Sequence, residues 1–185
     1  TRYVHVKFTY AYGVFYVGAF HNVKLHGQGS FTGTDGYLYL GGWQNGMIHG
    51  TGEVTYPDGS VYTGQFVEDL AEGQGKIVYP DGNTYEGSWR AGVIEGEGIA
   101  TYTNGLTYEG GFKNAKNHGQ GTMRYPDGYV YEGNWVDGKR QGPGKATYAD
   151  GSIYEGNFEE GQRHGTGKIT MANGFVYEGE WLQGE

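Results

Sequence analysis

The sequence contains no cysteine and no long hydrophobic run. Without cysteine, the 185-residue chain can form no disulfide bond and perform no thiol chemistry. A membrane-spanning helix requires at least about 18 consecutive apolar residues, and no such run is present. Residues 1–12 also lack the apolar core of a secretory signal peptide. We therefore expect a cytoplasmic location, with at most a peripheral association with a membrane.

Basic residues are few, because 13 lysines and arginines stand against 21 aspartates and glutamates and give a formal net charge of −8. Phosphate binding needs a basic patch, so this balance argues against nucleic acid as a partner. Glycine, by contrast, occurs 38 times and tyrosine 18 times. Such a glycine content indicates either disorder or a strict repeat, and an aromatic fraction of 16% argues against disorder. A regular β-repeat fits both observations.

A Tyr-x-Gly-x-Trp/Phe motif recurs every 23 residues without an insertion. Its first tyrosine, called position 0 below, is Tyr16, Tyr39, Tyr62, Tyr85, Tyr108, Tyr131, Tyr154 and Tyr177. Each complete repeat also carries glycines at +11, +13 and +20, and five have tyrosine at +17. This pattern predicts two strands per repeat, at about −1 to +4 and +11 to +17. They are joined by a turn such as Gln44–Met47 and by an Asp-Gly turn, where glycine adopts a positive φ easily.

Side chains alternate in character along both predicted strands. Positions 0, +2 and +4, and +11 to +17 in steps of two, are aromatic, glycine or apolar, whereas +12, +14 and +16 are polar, as at Gln120, Thr122 and Arg124. Because successive strand residues point to opposite faces, one face is aromatic and the other polar, which is typical of antiparallel sheet. The glycines either leave room for neighbouring rings or mark β-bulges, and both interpretations stay open.

The segments 131–144 and 154–167 resemble MORN (membrane occupation and recognition nexus) repeats, with Tyr-Glu-Gly-x-Trp/Phe followed by a turn and Gly-x-Gly. The resemblance implies an all-β fold: an elongated, twisted, single-layer antiparallel sheet of stacked β-hairpins with a 23-residue period. It implies no catalytic chemistry. Lipid binding has been proposed for this family, and protein–protein contact and self-association are at least as common.

We expect three parts along the chain. Residues 1–15 form a half repeat that caps the array, with Val4 and Val6 in place of the two glycines. Residues 16–176 form seven complete repeats, and residues 177–185 form the truncated start of an eighth. We therefore expect the array to continue beyond Glu185 or to be closed by a partner.

Neither histidines nor glutamates suggest a reaction or a metal site. Four histidines occupy position +10: His26, His49, His118 and His164. Equivalent positions lie two strands, or about 10 Å, apart, too far to share one zinc ion with bonds of about 2 Å, so we interpret them as turn or packing residues. Five glutamates occupy position +1: Glu86, Glu109, Glu132, Glu155 and Glu178. Identical surroundings cannot separate the pKa values of an acid–base pair. We expect no catalytic residue, no metal site and no cofactor.

Two groups of residues are candidate binding surfaces. The aromatic face forms a continuous strip that either packs on itself as the core or lines a groove for a ligand; its members are Tyr85, Trp89, Tyr102, Tyr108, Phe112, Tyr125, Tyr131 and Trp135. On the polar face, positions −1 and +1 of the first two repeats are Phe15 with Val17 and Leu38 with Leu40, whereas later repeats have glutamate at +1. An exposed apolar patch usually marks a partner, and a local cap or a strand folded back over the sheet is the alternative.

The sequence therefore predicts a non-catalytic scaffold or adaptor that binds proteins or associates with itself. One alternative is a peripheral phospholipid-binding module that uses a basic spot of Lys139, Arg140, Arg163 and Lys168. Another is a regulatory module of a larger enzyme such as a lipid kinase or methyltransferase. The expected partner is a protein or a second copy of the chain, with membrane phospholipid second.

Overall fold

The computed structural model describes residues 4–9 and 14–185, and all regular secondary structure within these ranges is β-strand. The strands are β1 Val4–Thr9, β2 Phe15–His21, β3 Lys24–Thr32, β4 Leu38–Gln44, β5 Met47–Thr55, β6 Val61–Val67, β7 Leu70–Val78, β8 Thr84–Arg90, β9 Val93–Thr101, β10 Thr107–Lys113, β11 Lys116–Arg124, β12 Val130–Val136, β13 Lys139–Thr147, β14 Ile153–Glu159, β15 Gln162–Thr170 and β16 Val176–Trp181. The described ranges include no helix of the length and apolarity that a membrane crossing demands.

The strands follow one another in a single antiparallel sheet in the order of the chain, which confirms the predicted array of consecutive hairpins. By its internal contacts the chain divides into an N-terminal unit, Thr1–Val93, and a C-terminal unit, Ile94–Glu185. Strand β1 pairs with β2 where the half repeat was predicted. The side chains of Val4 and Val6 lie outside the described part of the chain.

The second strand of each repeat begins three residues earlier than predicted, at +8 instead of +11. In the repeat that starts at Tyr39, Gln44 pairs with Met47 across a two-residue turn. Asn45 has φ 53° and Gly46 has φ 90°, the combination that type I′ hairpin turns require. Because this turn matches the twist of the strands, pairing continues directly on both sides of it.

The glycine at +11 marks a β-bulge within the second strand. Gly41 pairs with Gly52 and Trp43 with Ile48, so β5 has two more residues than β4 between these pairs. Gly50 lies in the extra segment with φ 84°, and a Cβ there would meet no atom within 4 Å. The bulge interpretation is therefore correct at +11, where glycine is needed for its conformation.

The glycines at +2 and +13 leave space for the position-0 tyrosine. Tyr39 is fully buried, and its ring lies across Gly41 and Gly52. A Cβ on Gly52 would lie 2.5 Å from the Tyr39 hydroxyl oxygen. That hydroxyl donates a hydrogen bond to the carbonyl of Gly42 at 2.8 Å, so the buried polar group is satisfied. At these two positions the space interpretation is correct.

The core of each unit is a ladder of edge-to-face rings. Tyr39 packs against Trp43 of its own repeat at 5.3 Å between ring centroids and against Phe66 of the next repeat at 5.6 Å. Tyr131 packs in the same way between Trp135 and Phe158. Each such pair adds about 0.5–1.5 kcal/mol to the burial of the rings. Apolar side chains at +15 complete the core.

Backbone bonds between turns fix the repeat length. The N–H of Gly46 donates to the carbonyl of Leu25 in the preceding repeat at 2.9 Å, and Asp69 donates to Ile48 at 3.0 Å. The Trp43 indole N–H donates to the carbonyl of Gly29. An inserted residue would break these bonds, which explains why the 23-residue spacing has no exception.

Candidate binding surface

The predicted aromatic strip is mostly inaccessible. Six of its eight rings are buried in the cores of the two units: Tyr85, Trp89, Tyr108, Phe112, Tyr131 and Trp135. Tyr102 and Tyr125, at position +17, are half-buried. The structure therefore places the six rings where they pack on one another, and only these two could touch a ligand. Their binding role stays a prediction.

A row of three half-buried tyrosines lies along the loop edge of the C-terminal unit. Tyr129 stands between Tyr125 and Tyr148, with ring centroids 5.1 and 5.3 Å apart. Two hydrogen bonds close the loop that holds it: Tyr125 N–H donates to the Tyr129 carbonyl at 2.8 Å, and Tyr129 N–H donates to Asp127 Oδ1 at 2.9 Å. Sequence reasoning missed Tyr129, whose only signal was a tyrosine at +21.

Arg140 anchors this row from the strand beyond it. It occupies +9, where the N-terminal unit has Leu25, Ile48 and Ala71. One guanidinium nitrogen, Nη1, donates to the Tyr129 hydroxyl and the other, Nη2, to the Gly161 carbonyl, both at 2.5 Å. Its guanidinium carbon also lies 5.5 Å from the centroid of the buried Tyr131 ring. These contacts hold the charge against aromatic surface.

Arg163 repeats the arrangement one repeat later. Its Nη2 donates to the Gly184 carbonyl at 2.5 Å, and its guanidinium carbon lies 4.2 Å from the centroid of Trp181. Within the described residues, no carboxylate forms an ion pair with Arg140 or Arg163. Both cations are therefore fixed in position without being neutralised.

Together these side chains line an open groove of about 520 Å³, within the range of about 300–1,000 Å³ that is usual for ligand sites. We call it the tyrosine–arginine groove and define it by Tyr125, Tyr129, Tyr148, Arg140 and Arg163. Its walls combine aromatic faces with hydrogen-bond donors, which suits a ligand that is partly apolar and partly anionic.

The central tyrosine of the groove, Tyr129, is a neutral donor at physiological pH. Burial raises the pKa of Tyr129, and the neighbouring Arg140 charge opposes the rise. Burial likewise raises the pKa of Tyr131 to about 12, again against the effect of Arg140. Because Tyr129 already accepts a hydrogen bond from Arg140, its own hydroxyl proton can be donated to a ligand.

The apolar patch, Phe15, Val17, Leu38 and Leu40, is present as two rows on the face opposite the aromatic core. Val17 and Leu40 both pair with Ser30, and Phe15 and Leu38 both pair with Thr32. Val17, Leu38 and Leu40 are 40–60% exposed, and Phe15 is half-buried. Within residues 4–9 and 14–185, no segment covers these three exposed side chains. The interface role of the patch stays a prediction.

Side chains at +10 support the turns of the following repeat. His118 Nδ1 accepts a hydrogen bond from the Asp137 N–H at 3.4 Å, and the Glu72 carboxylate accepts one from the Ala91 N–H at 2.7 Å. Two of the glutamates at +1, Glu132 and Glu155, pair across strands with Lys145 between them. The described part of the chain holds no group of three metal-ligating side chains.

The predicted basic spot is not assembled. Arg140 and Arg163 lie on the aromatic face, whereas Lys168 pairs across strands with Glu155 and Glu178 on the opposite face. Lys139 forms an ion pair with Glu160. Strand alternation separates these cations, because neighbouring residues of one strand point to opposite faces.

Similarity to known proteins agrees with this architecture. The chain shares its fold with the TCP domain of Drosophila melanogaster SAS-4, solved in complex with a proline-rich motif of Ana2, at 14% identity and a TM-score of 0.51, covering 96% of this chain and 90% of that one. The TCP10 domain of Danio rerio CPAP, solved with a STIL peptide, is 18% identical over 96% of this chain and 84% of that one, with a TM-score of 0.35. No curated protein matches the chain.

The family model for the MORN repeat matches in the same register as the structural repeats. The matched residues are 16–36, 39–61, 62–84, 85–107, 108–128, 131–153, 154–176 and 177–185. Because these segments span most of the sequence and coincide with the hairpins, the chain belongs to the MORN repeat family.

Proposed function

We propose that this chain is a non-catalytic scaffold whose tyrosine–arginine groove binds an extended, proline-containing segment of a partner protein. The observation that carries the proposal is the row of three half-buried rings at Tyr125, Tyr129 and Tyr148 in an open groove. Proline-rich segments dock on aromatic-lined grooves because their extended helix is already formed before binding, so little conformational entropy is lost.

The likeness in fold to the SAS-4 domain supports this proposal, since that domain was solved with a proline-rich motif. Phospholipid binding, the alternative from the sequence, receives less support. Arg140 and Arg163 turn towards aromatic rings and backbone carbonyls, and the net charge of −8 repels an anionic bilayer.

A titration followed by ¹⁵N–¹H NMR tests the groove. The probe is an octapeptide of proline with asparagine at its third and sixth positions. We expect chemical-shift changes at Tyr125, Tyr129 and Tyr148, and their loss in Tyr129→Ala. Tyr37→Ala, which removes the tyrosine at the same repeat position in the N-terminal unit, is the matched control and keeps binding at the groove. Shift changes that are absent, or that survive Tyr129→Ala, would contradict the proposal.

The apolar patch supports a second proposal, self-association of the chain. Three neighbouring apolar side chains that are 40–60% exposed on a sheet face can cover one another in a symmetric contact between two copies. Replacing Val17 and Leu40 with glutamate is expected to lower the solution mass measured by light scattering at matched protein concentration. A wild-type chain that is already monomeric, or a variant whose mass is unchanged, would reject this interface.

A further inference from the structure

Two guanidinium groups, those of Arg140 and Arg163, line the tyrosine–arginine groove without a carboxylate partner among the described residues. We propose that the groove selects peptide segments carrying two carboxylates, one for Arg140 and one for Arg163. This selectivity rests on the proposed peptide-binding function and adds the chemistry that distinguishes one partner from another. The ligand class is an acidic, extended peptide.

Both arginines retain donors for such a ligand. A guanidinium carries five N–H groups; Arg140 uses one at the Tyr129 hydroxyl and one at the Gly161 carbonyl, and Arg163 uses one at the Gly184 carbonyl. The bonds to backbone carbonyls orient each fork before a ligand arrives. A pre-oriented guanidinium binds a carboxylate through charge-assisted, often bidentate, hydrogen bonds.

The spacing of the two arginines matches an extended peptide. Arg140 and Arg163 occupy the same position in consecutive repeats, two strands apart, which corresponds to about 10 Å. In a polyproline II segment, residues three apart lie on the same side and are separated by about 9 Å. Two acidic residues at i and i+3 can therefore reach both guanidinium groups while prolines between them contact the tyrosine rings.

The negative net charge of the chain does not prevent this. Glu132 and Glu155, at +1 in the C-terminal unit, lie on the opposite face, where both pair across strands with Lys145 and Glu155 also pairs with Lys168. Exposed charges beyond about 8–10 Å are screened at physiological salt. Asp127 is the carboxylate at the groove itself, and its Oδ1 accepts the backbone N–H of Tyr129.

The N-terminal unit provides an internal comparison. Tyr37 and Tyr56 lie 6.3 Å apart on its loop edge, but position +9 there holds Leu25, Ile48 and Ala71. Each unit therefore has its own tyrosines on the loop edge, whereas the two arginines at +9 occur in the C-terminal unit. We accordingly expect a preference for acidic peptides at the loop edge of the C-terminal unit and none at that of the N-terminal unit.

Fluorescence anisotropy with two labelled peptides tests the inference. The acidic peptide has aspartate at the third and sixth positions of the proline octapeptide, and the neutral peptide has asparagine there. We expect the acidic peptide to bind on the order of tenfold tighter at about 0.1 M salt, and the advantage to shrink to about twofold at about 1 M, where the screening length is near 3 Å. A peptide with adjacent aspartates should lose most of the advantage.

Matched variants separate the groove from overall charge. Arg140→Gln with Arg163→Gln should abolish the preference, so that the acidic and the neutral peptide bind with affinities within about twofold of each other. Lys145→Gln with Lys168→Gln removes the same charge from the opposite face and should keep the preference. If circular dichroism shows that the arginine variant is unfolded, the wild-type chain still decides the question. Its affinity for the acidic peptide is then compared with its affinity for a peptide that carries lysines at the same two positions.

The outcomes distinguish the two proposals. Equal affinity for both peptides, with both lost in Tyr129→Ala, overturns the selection and leaves the peptide-binding function in place. Absence of binding by either peptide overturns both. Binding to phosphatidylserine vesicles that is lost in the double arginine variant, without a preference for the acidic peptide, also overturns the selection and assigns the arginines to lipid phosphate.

Discussion

On the face opposite the aromatic core, the first two repeats of the N-terminal unit carry Val17 and Leu40 at +1, whereas the last three copies of the motif, in the C-terminal unit, carry Glu132, Glu155 and Glu178. The residues on the strands between them differ accordingly. Val17 and Leu40 flank the uncharged Ser30, whereas the glutamates flank lysines of opposite charge. On the aromatic face, the apolar residues at +9 of the N-terminal unit give way to arginine in the last two complete repeats. The hairpin register is the same in both units.

This difference shows which positions define the fold and which are free to vary. The position-0 tyrosines and the glycines beneath them are the same in both units, because a side chain at either glycine would overlap the tyrosine ring. Position +1 faces solvent, and position +9 is buried at Ile48 but half-buried at Arg140, so replacement there changes the surface while the hairpin register stays the same. We infer that the two units present different surfaces on one scaffold.

The largest expected effect on stability tests whether the two units have cores of the same construction. Gly52→Ala and Gly144→Ala place a methyl group 2.5 and 2.6 Å from the hydroxyl oxygens of Tyr39 and Tyr131. Each should lower the free energy of unfolding by about 3 kcal/mol, at the upper end of overpacking costs, as measured by urea denaturation. Thr122→Ala, on the polar face, should cost less than about 0.5 kcal/mol. Clearly unequal costs at the two glycines would show that the units have different cores.

The second prediction exchanges the residues at +9. Ile48 is buried, so Ile48→Arg loses apolar packing. Tyr37, at +21 of the preceding repeat, is the equivalent of the Tyr129 that Arg140 contacts, and its hydroxyl can accept a hydrogen bond from the new cation. We expect a cost of about 2 kcal/mol, below that of an unpaired buried cation.

The reverse change, Arg140→Ile, should alter the free energy of unfolding by less than about 1.5 kcal/mol, because an apolar side chain can replace a partly buried cation at little cost. Urea denaturation of both variants measures the exchange. A cost above about 4 kcal/mol for Ile48→Arg would show that the N-terminal unit cannot hold the cation.

The third prediction concerns alkaline pH, to which both units should respond alike. Burial raises the pKa values of Tyr62 and Tyr131 from the ordinary value of 10.0 to about 12. Because the folded state favours the neutral phenol, the stabilisation is complete below pH 10 and is lost as the pH rises towards 12. Each tyrosine should account for about 2 kcal/mol by pH 12. Thermal melts between pH 9 and pH 12 check this, and a melting temperature that stays constant across this range would contradict it.

The smallest expected effect is at a turn of the N-terminal unit. Val23 has φ 59° and is 95% exposed, so a β-branched residue occupies a left-handed conformation with no packing in return. Val23→Gly should stabilise the chain by about 1 kcal/mol. Ala115→Gly, at the same turn position in the C-terminal unit with φ 60°, is the matched control and should gain less. Thermal denaturation measures both changes, and a loss of stability in Val23→Gly would refute the strain argument.

Sequence reasoning predicted the hairpin array and the room that glycine leaves for tyrosine at +2 and +13. It placed the start of the second strand too late, because the glycine at +11 looks like a strand boundary when it is a bulge inside the strand. It also missed Tyr129, since a tyrosine at +21 has no counterpart in most repeats. The arginines at +9 were expected in a basic spot with two lysines, which the alternation of faces separates.

The sequence by itself determined the repeat, the alternation of faces and the membership of the chain in a β-hairpin family, because these depend on local spacing and on the two-residue period of a strand. Only the tertiary structure decided which rings are buried and which line a groove. Tyr129 and Arg140 meet through a hydrogen bond between a loop and a strand beyond it, and a contact of that kind depends on how the elements pack, which no local pattern specifies.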